Sequence, residues 1–159
     1  MPGIGSVRKL LLLVAALVAA LVVTVAGVAL AKPARDTSGV VYAGVTHVEG
    51  SDVYVAGDFK DEILGRGAIV YITQVQTGPE VGTVLIESKK ITLYTKRGSL
   101  SGSGQATQTI YADGNGAVTD GTFKLTKGTG KLKGHKLKGT FEGPFEDGVY
   151  TFDYTGTYK

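Results

Sequence analysis

The chain has 159 residues, with 17 Lys and Arg against 14 Asp and Glu, 24 glycines and no cysteine. The missing cysteines exclude a disulfide framework, a thiolate metal site, a cysteine nucleophile and a lipid-modified cysteine anchor, and the length allows one ordinary domain beyond a targeting segment. Past Ala31 the chain carries 15 basic against 14 acidic residues, too close to neutral for a nucleic-acid binder that works through bulk charge.

Residues 1–31 read as a targeting segment. MPGIGSVRK brings Arg8 and Lys9, and no charged residue follows from Leu10 to Ala31. Ala29 and Ala31 are small residues at the two positions a signal peptidase reads, which is the layout of a secretory signal peptide. The apolar run also meets the ~20 residues needed to cross a bilayer, so an uncleaved signal anchor is the other reading. Either way the region is expected to be a hydrophobic export helix. Positive charge ahead of it keeps the N-terminus inside and leaves the rest secreted or extracytoplasmic, with membrane contact only through 10–31 if the segment is retained.

Residues 32–38, KPARDTS, read as a polar leader, and 39–159 as the folded domain. Glycine recurs too often there for long helices, since each costs about 1 kcal/mol in a helix interior. Between the glycines, apolar and polar residues alternate with the period of a strand. The alternation predicts strands at 40–48, 52–59, 67–76, 81–87 and 90–96, the last two joined by a turn at Ser88-Lys89. Further strands are expected at 105–112, 117–126, 130–133, 136–142 and 148–158. GSLSGSG at 98–104 reads as a flexible Gly/Ser loop, a candidate lid beside a barrel mouth. ADGNGA at 112–117 is the strongest hairpin turn, because Asp, Asn and Gly tolerate positive φ, and EGPFEDG at 142–148 is a second turn cluster. Strands at this spacing point to an all-β antiparallel barrel or sandwich. A barrel of about eight strands is preferred because closure removes exposed edges.

The segment KLKGHKLKG contains Lys-Leu-Lys-Gly twice. On one straight strand Leu132 and Leu137 would face opposite ways. A turn or bulge at the glycines flanking His135 brings both to the buried side. Lys131, Lys133, Lys136 and Lys138 then form a basic outer face. No phosphate-binding loop is present: the glycine intervals fit neither the Walker nor the dinucleotide pattern, and no helix follows.

DGTFKLTKGTGKLKGHKLKGTFEG, followed by YTFDYTGTY, resembles the closing strands of the dirigent and allene oxide cyclase barrel superfamily. The matching residues are Gly128-Thr129-Gly130 and Gly134 or Gly139. The resemblance covers the last third of the chain and implies an eight-stranded antiparallel barrel with an apolar interior cavity. The Lys-Leu-Lys-Gly duplication departs from the family pattern, and none of the family's catalytic residues maps onto this sequence.

Few residues suggest chemistry. His47 falls on the face of Val41, Ala43 and Val45 and reads as a core or rim histidine. His135 reads as a solvated turn residue. No metal-ligating histidine pair is present, and the serines at 98–104 lack a nucleophile elbow. Asp58, Asp61 and Glu62, and again Glu142, Glu146 and Asp147, read as solvated loop carboxylates. Asp113, Asn115 and Asp120 lack the spacing of a calcium loop, so no metal or cofactor is expected. The aromatics are more informative. Tyr150, Phe152 and Tyr154 share one strand face, and with Tyr42, Tyr71, Tyr94 and Tyr111 they form the candidate pocket lining.

The expectation is therefore an exported, non-catalytic barrel that binds a small hydrophobic or aromatic ligand or a surface partner. The alternatives are a cyclase- or isomerase-like enzyme in the same cavity, which needs an inward carboxylate or Arg, and a structural surface module whose basic face meets an anionic envelope polymer.

Overall fold

A computed structural model describes residues 33–159; the expected export helix, 1–31, lies outside the described residues. Eight strands follow one another: β1 Arg35–Glu49, β2 Asp52–Asp61, β3 Gly65–Thr77, β4 Thr83–Thr95, β5 Gly98–Ile110, β6 Gly116–Gly128, β7 Leu137–Glu146 and β8 Val149–Tyr158. Each pairs antiparallel with its chain neighbours, and β8 returns to pair with β1 from Arg35↔Tyr158 to Gly44↔Val149. The result is a closed up-and-down barrel with no free edge among these strands.

Alternation sets the inner face, and bulges correct it where the sequence slips by one. Ile86 and Ser88 point inward on β4, followed by Ile91 and Leu93. The register shift between Ser88 and Ile91 absorbs Lys89 and Lys90. What reads as a turn at Ser88-Lys89 is thus a bulge inside one long strand. A second shift between Val118 and Gly121 places Asp120 at φ 51 and carries the inner face from Val118 to Phe123 and Leu125.

Four expectations are corrected. Residues 98–104 are the first half of β5, not a loop. Leu100 is fully buried and Gly102 pairs with Ile91, while the half-buried Ser99 and Ser101 pair with Tyr94 and Thr92. Residues 35–38 of the expected leader already pair with β8, and Thr37 is buried. Residues 130–133 form a 3₁₀ turn, Gly130–Leu132, rather than a strand. β7 runs on to Glu146, so the turn expected over 142–148 shrinks to Asp147-Gly148, with φ of 50° and 80°, the conformation of a tight hairpin turn. The hairpin expected at 112–117 is present: Gly114 N–H donates to the Tyr111 carbonyl, and Asn115 N–H to the Asp113 carboxylate.

The barrel has two unlike ends. At one lie the start of β1, the end of β8 and the long β6–β7 connection. There Leu132 and Leu137 are both fully buried, because the turn through Gly134 brings them to the same side. His135 is only half exposed: its ring stacks on Tyr158 at 5.0 Å and 11°, and Nδ1 lies 3.0 Å from the Lys159 carbonyl. The expected solvated turn is a plug over this end.

The eight strands leave an interior just wide enough for side chains. Where large rings turn inward, the residue paired with them on the neighbouring strand is glycine, as in Gly39↔Tyr154 and Gly121↔Phe141. A Cβ on Gly39 would sit 2.6 Å from the Tyr154 ring, and one on Gly121 would sit 2.8 Å from the Phe141 ring.

Candidate functional site

Tyr150, Phe152 and Tyr154 line the interior from β8, as Tyr71 does from β3. Around them runs a continuous aromatic contact chain. Phe145 meets Tyr150 at 4.4 Å, Tyr150 meets Phe152 at 5.1 Å, and Phe152 meets Phe141 at 5.0 Å. Phe123 closes the chain edge-on against Tyr154 at 5.7 Å. Such pairs contribute about 0.5–1.5 kcal/mol each beyond their buried area.

Three of the seven tyrosine and phenylalanine positions read as pocket residues lie elsewhere. Tyr42 and Tyr94 occupy outward positions on β1 and β4, 55% and 50% exposed, and Tyr111 projects from the β5–β6 turn at 51%. The alternation that turns Val41 and Leu93 inward necessarily turns Tyr42 and Tyr94 out. His47 also moves: a register shift between Val45 and His47 turns it off the core face, and it is exposed against Tyr54 at 5.5 Å.

Within the aromatic shell lies a cavity of about 80 Å³, walled mainly by Val41, Ile69, Ile86, Ile91, Leu93 and Phe123, with Tyr71, Tyr150 and Tyr154 among its lining. It is about half the volume of an engineered cavity that admits benzene. Its polar groups are few. The Tyr150 hydroxyl donates to Gln108 Oε1 at 3.2 Å, and Thr73 donates to the Glu87 carbonyl at 3.2 Å. The Tyr71 hydroxyl is enclosed and has no hydrogen-bond partner, although Tyr71 is only 8% exposed. An unpaired buried hydroxyl costs about 1–3 kcal/mol, so this one is a ready donor for anything that enters. Burial pushes the phenols of Tyr71, Tyr150 and Tyr154 above their usual range, and they stay neutral donors at physiological pH.

One buried anchor escaped the sequence reading. Asp61 is 4% exposed and accepts from the Tyr154 hydroxyl at 2.7 Å, the Thr37 hydroxyl at 2.9 Å and the Ile63 N–H at 2.7 Å, and also from the Leu64 N–H. It holds the β2–β3 turn and one inner wall. It does not itself line the cavity, and the lining contains no Asp, Glu, His, Lys or Arg. The signal was present: Asp61 shares the inward parity of Val55 and Phe59, and it stands immediately before the turn whose amides, two and three residues on, it caps. Asp58, Glu62, Glu142, Glu146, Asp147, Asp113 and Asp120 are all exposed. No group of three or more His, Asp and Glu side chains converges among the described residues.

Lys131, Lys133, Lys136 and Lys138 are all exposed at the plugged end. Lys138 also borders a wide concavity of about 1040 Å³, together with Lys124, Thr122, Thr140 and Thr155.

No protein-family model, no curated protein and no solved structure matches this chain. Of what the dirigent and allene oxide cyclase resemblance implies, the eight-stranded antiparallel barrel is present.

Proposed function

We propose that this chain is an exported barrel that holds a compact, mostly apolar molecule in its interior without transforming it. Export rests on the charge and hydropathy layout of residues 1–31. The binding reading rests on one observation: the Tyr71 hydroxyl is enclosed at an apolar cavity with nothing to donate to. The occupant that suits it has few heavy atoms and one hydrogen-bond acceptor. A planar aromatic requires the shell of Phe123, Phe141 and Phe152 to shift. A cyclase-like reaction needs a carboxylate or Arg in the cavity, and the lining residues supply neither.

The test is an NMR titration of the protein with acetone, its hydrocarbon isostere isobutene, and phenol. Saturable shifts are expected at residues flanking Tyr71 and Tyr150. Tyr71→Phe should weaken acetone by roughly three- to tenfold, the value of one net hydrogen bond, and leave isobutene unchanged. Absence of saturable binding by all three probes removes the reading.

A further inference from the structure

The barrel is neutral as a whole and strongly polarised along its axis. Residues 33–159 carry 14 basic and 14 acidic side chains, yet the two signs are segregated. The plugged end comprises the turns and termini there together with the last two residues of each strand that reaches it. It holds eleven of the basic residues and three acidic ones, Asp36, Asp61 and Glu62. Six of the basic residues, Lys127, Lys131, Lys133, Lys136, Lys138 and Lys159, surround the β6–β7 connection. The other five, Arg35, Lys60, Arg66, Lys96 and Arg97, come from the β1 start and the two neighbouring turns, and all eleven are exposed. The opposite end, bounded the same way, has no basic residue and six acidic ones: Glu49, Asp52, Glu80, Asp113, Glu146 and Asp147.

The pairing makes the basic end costly to leave unoccupied. Lys60 stands directly across from Arg66, and Lys124 across from Lys138. Lys136 and Lys159 exchange both backbone hydrogen bonds at 3.0 Å. Like charges directly opposite on neighbouring strands destabilise the sheet, and two such pairs on this end, with the Lys124–Lys138 pair at its margin, amount to a built field for anions. Of the three acids there, Asp61 is buried and engaged by Thr37 and Tyr154, so it offsets little of that field at the surface.

Connectivity indicates what the field meets. β1 begins at Arg35 on this end, and the uncharged run closes at Ala31. If that run lies in a bilayer, Lys32, Pro33 and Ala34 span at most about 10 Å, comparable to the screening length of physiological salt. We infer that the basic end of the barrel docks on the anionic headgroups of a membrane, turning the acidic end away. This site is independent of the interior cavity, and either can fail without the other.

The experiment uses residues 33–159, whose eight strands pair with one another in a closed barrel around a buried core. Co-sedimentation is measured with phosphatidylcholine vesicles, with and without phosphatidylglycerol, at low and at physiological salt. Binding is expected only with phosphatidylglycerol and should weaken as salt rises. The variant Lys131→Gln/Lys133→Gln/Lys136→Gln should lose on the order of a hundredfold in affinity, since each lysine near an anionic surface contributes about fivefold. Glu49→Gln/Glu80→Gln/Glu146→Gln, at the far end, should bind like the parent. Circular dichroism on both variants confirms that the barrel is intact. Binding without phosphatidylglycerol, equal losses in the two variants, or complete displacement from vesicles by an equal charge concentration of polyphosphate would overturn the proposal, the last in favour of a soluble anionic polymer.

Discussion

The Tyr154 hydroxyl donates to the Asp61 carboxylate at 2.7 Å, joining residues 93 positions apart in sequence. The bond fastens β8 to the β2–β3 turn across the inside of the barrel, at the end where β8 also meets β1. Removing the hydroxyl alone, in Tyr154→Phe, is expected to cost about 1–2 kcal/mol. Asp61→Ala should cost more, about 3 kcal/mol or above, because it strands four donors at once, three of them buried. Urea denaturation of the two variants measures both, and equal midpoints would show that the carboxylate does not organise this end.

Alkaline pH should unfold the barrel through its tyrosines. Burial raises the phenol pKa of Tyr71, Tyr150, Tyr154 and Tyr158, with the Asp61 carboxylate adding to the effect at Tyr154 and the nearby Arg97 opposing it at Tyr158. In the unfolded chain these groups ionise near pH 10. Below that pH both states are protonated and the stability is intact. Above it the unfolded state loses protons that the folded state keeps, so stability falls as pH rises. Phenolate absorbance followed together with circular dichroism should show part of the ionisation coinciding with unfolding. Tyr71→Phe should make the alkaline decline shallower.

The glycine walls can be tested by adding one methyl group. Gly39→Ala collides with the Lys60 carbonyl and the Tyr154 ring, and Gly121→Ala with the Phe141 carbonyl and ring. Each is expected to destabilise by about 1–3 kcal/mol. Gly44→Ala is the control: the nearest atom to its Cβ is 3.8 Å away and its φ is not positive, so it should be neutral or slightly stabilising. Thermal melts distinguish the three.

Asp147 sits at φ 50 in the two-residue β7–β8 turn, and its N–H takes the Asn115 side-chain carbonyl at 3.0 Å. Asp147→Gly should be nearly neutral. Asp147→Val forces a branched residue into the left-handed region and should cost about 1–2 kcal/mol. A smaller difference between the two would mean that the turn relaxes to another type.

The barrel was legible because period-two alternation and frequent glycine leave little room for helices, and both persist through every strand. Its finer errors have separate causes. Residues 98–104 look like a linker because the inward positions between their serines are mostly glycine; only Leu100 carries apolar bulk, and closure of the sheet, not local preference, makes this segment β5. His47 leaves the core face because the register shifts between Val45 and His47, whereas Tyr42 and Tyr94 point outward by simple alternation with Val41 and Leu93. A bulge that shifts register by one residue reverses every side chain beyond it. Leu132 and Leu137 came out correctly because two glycines mark the turn between them. Asp61 reads as a loop carboxylate on its charge alone, although its parity matches the core. The orphaned Tyr71 hydroxyl depends on which groups lie across the barrel and leaves no trace in local sequence.

The most direct measurement is a crystal of the protein pressurised with xenon, a probe that reports dry apolar space. A single strong xenon site is expected inside the barrel, bounded by Ile86, Ile91, Leu93 and Phe123. Side chains packed across that volume, with no xenon anywhere inside the closed sheet, would contradict a ligand-holding interior.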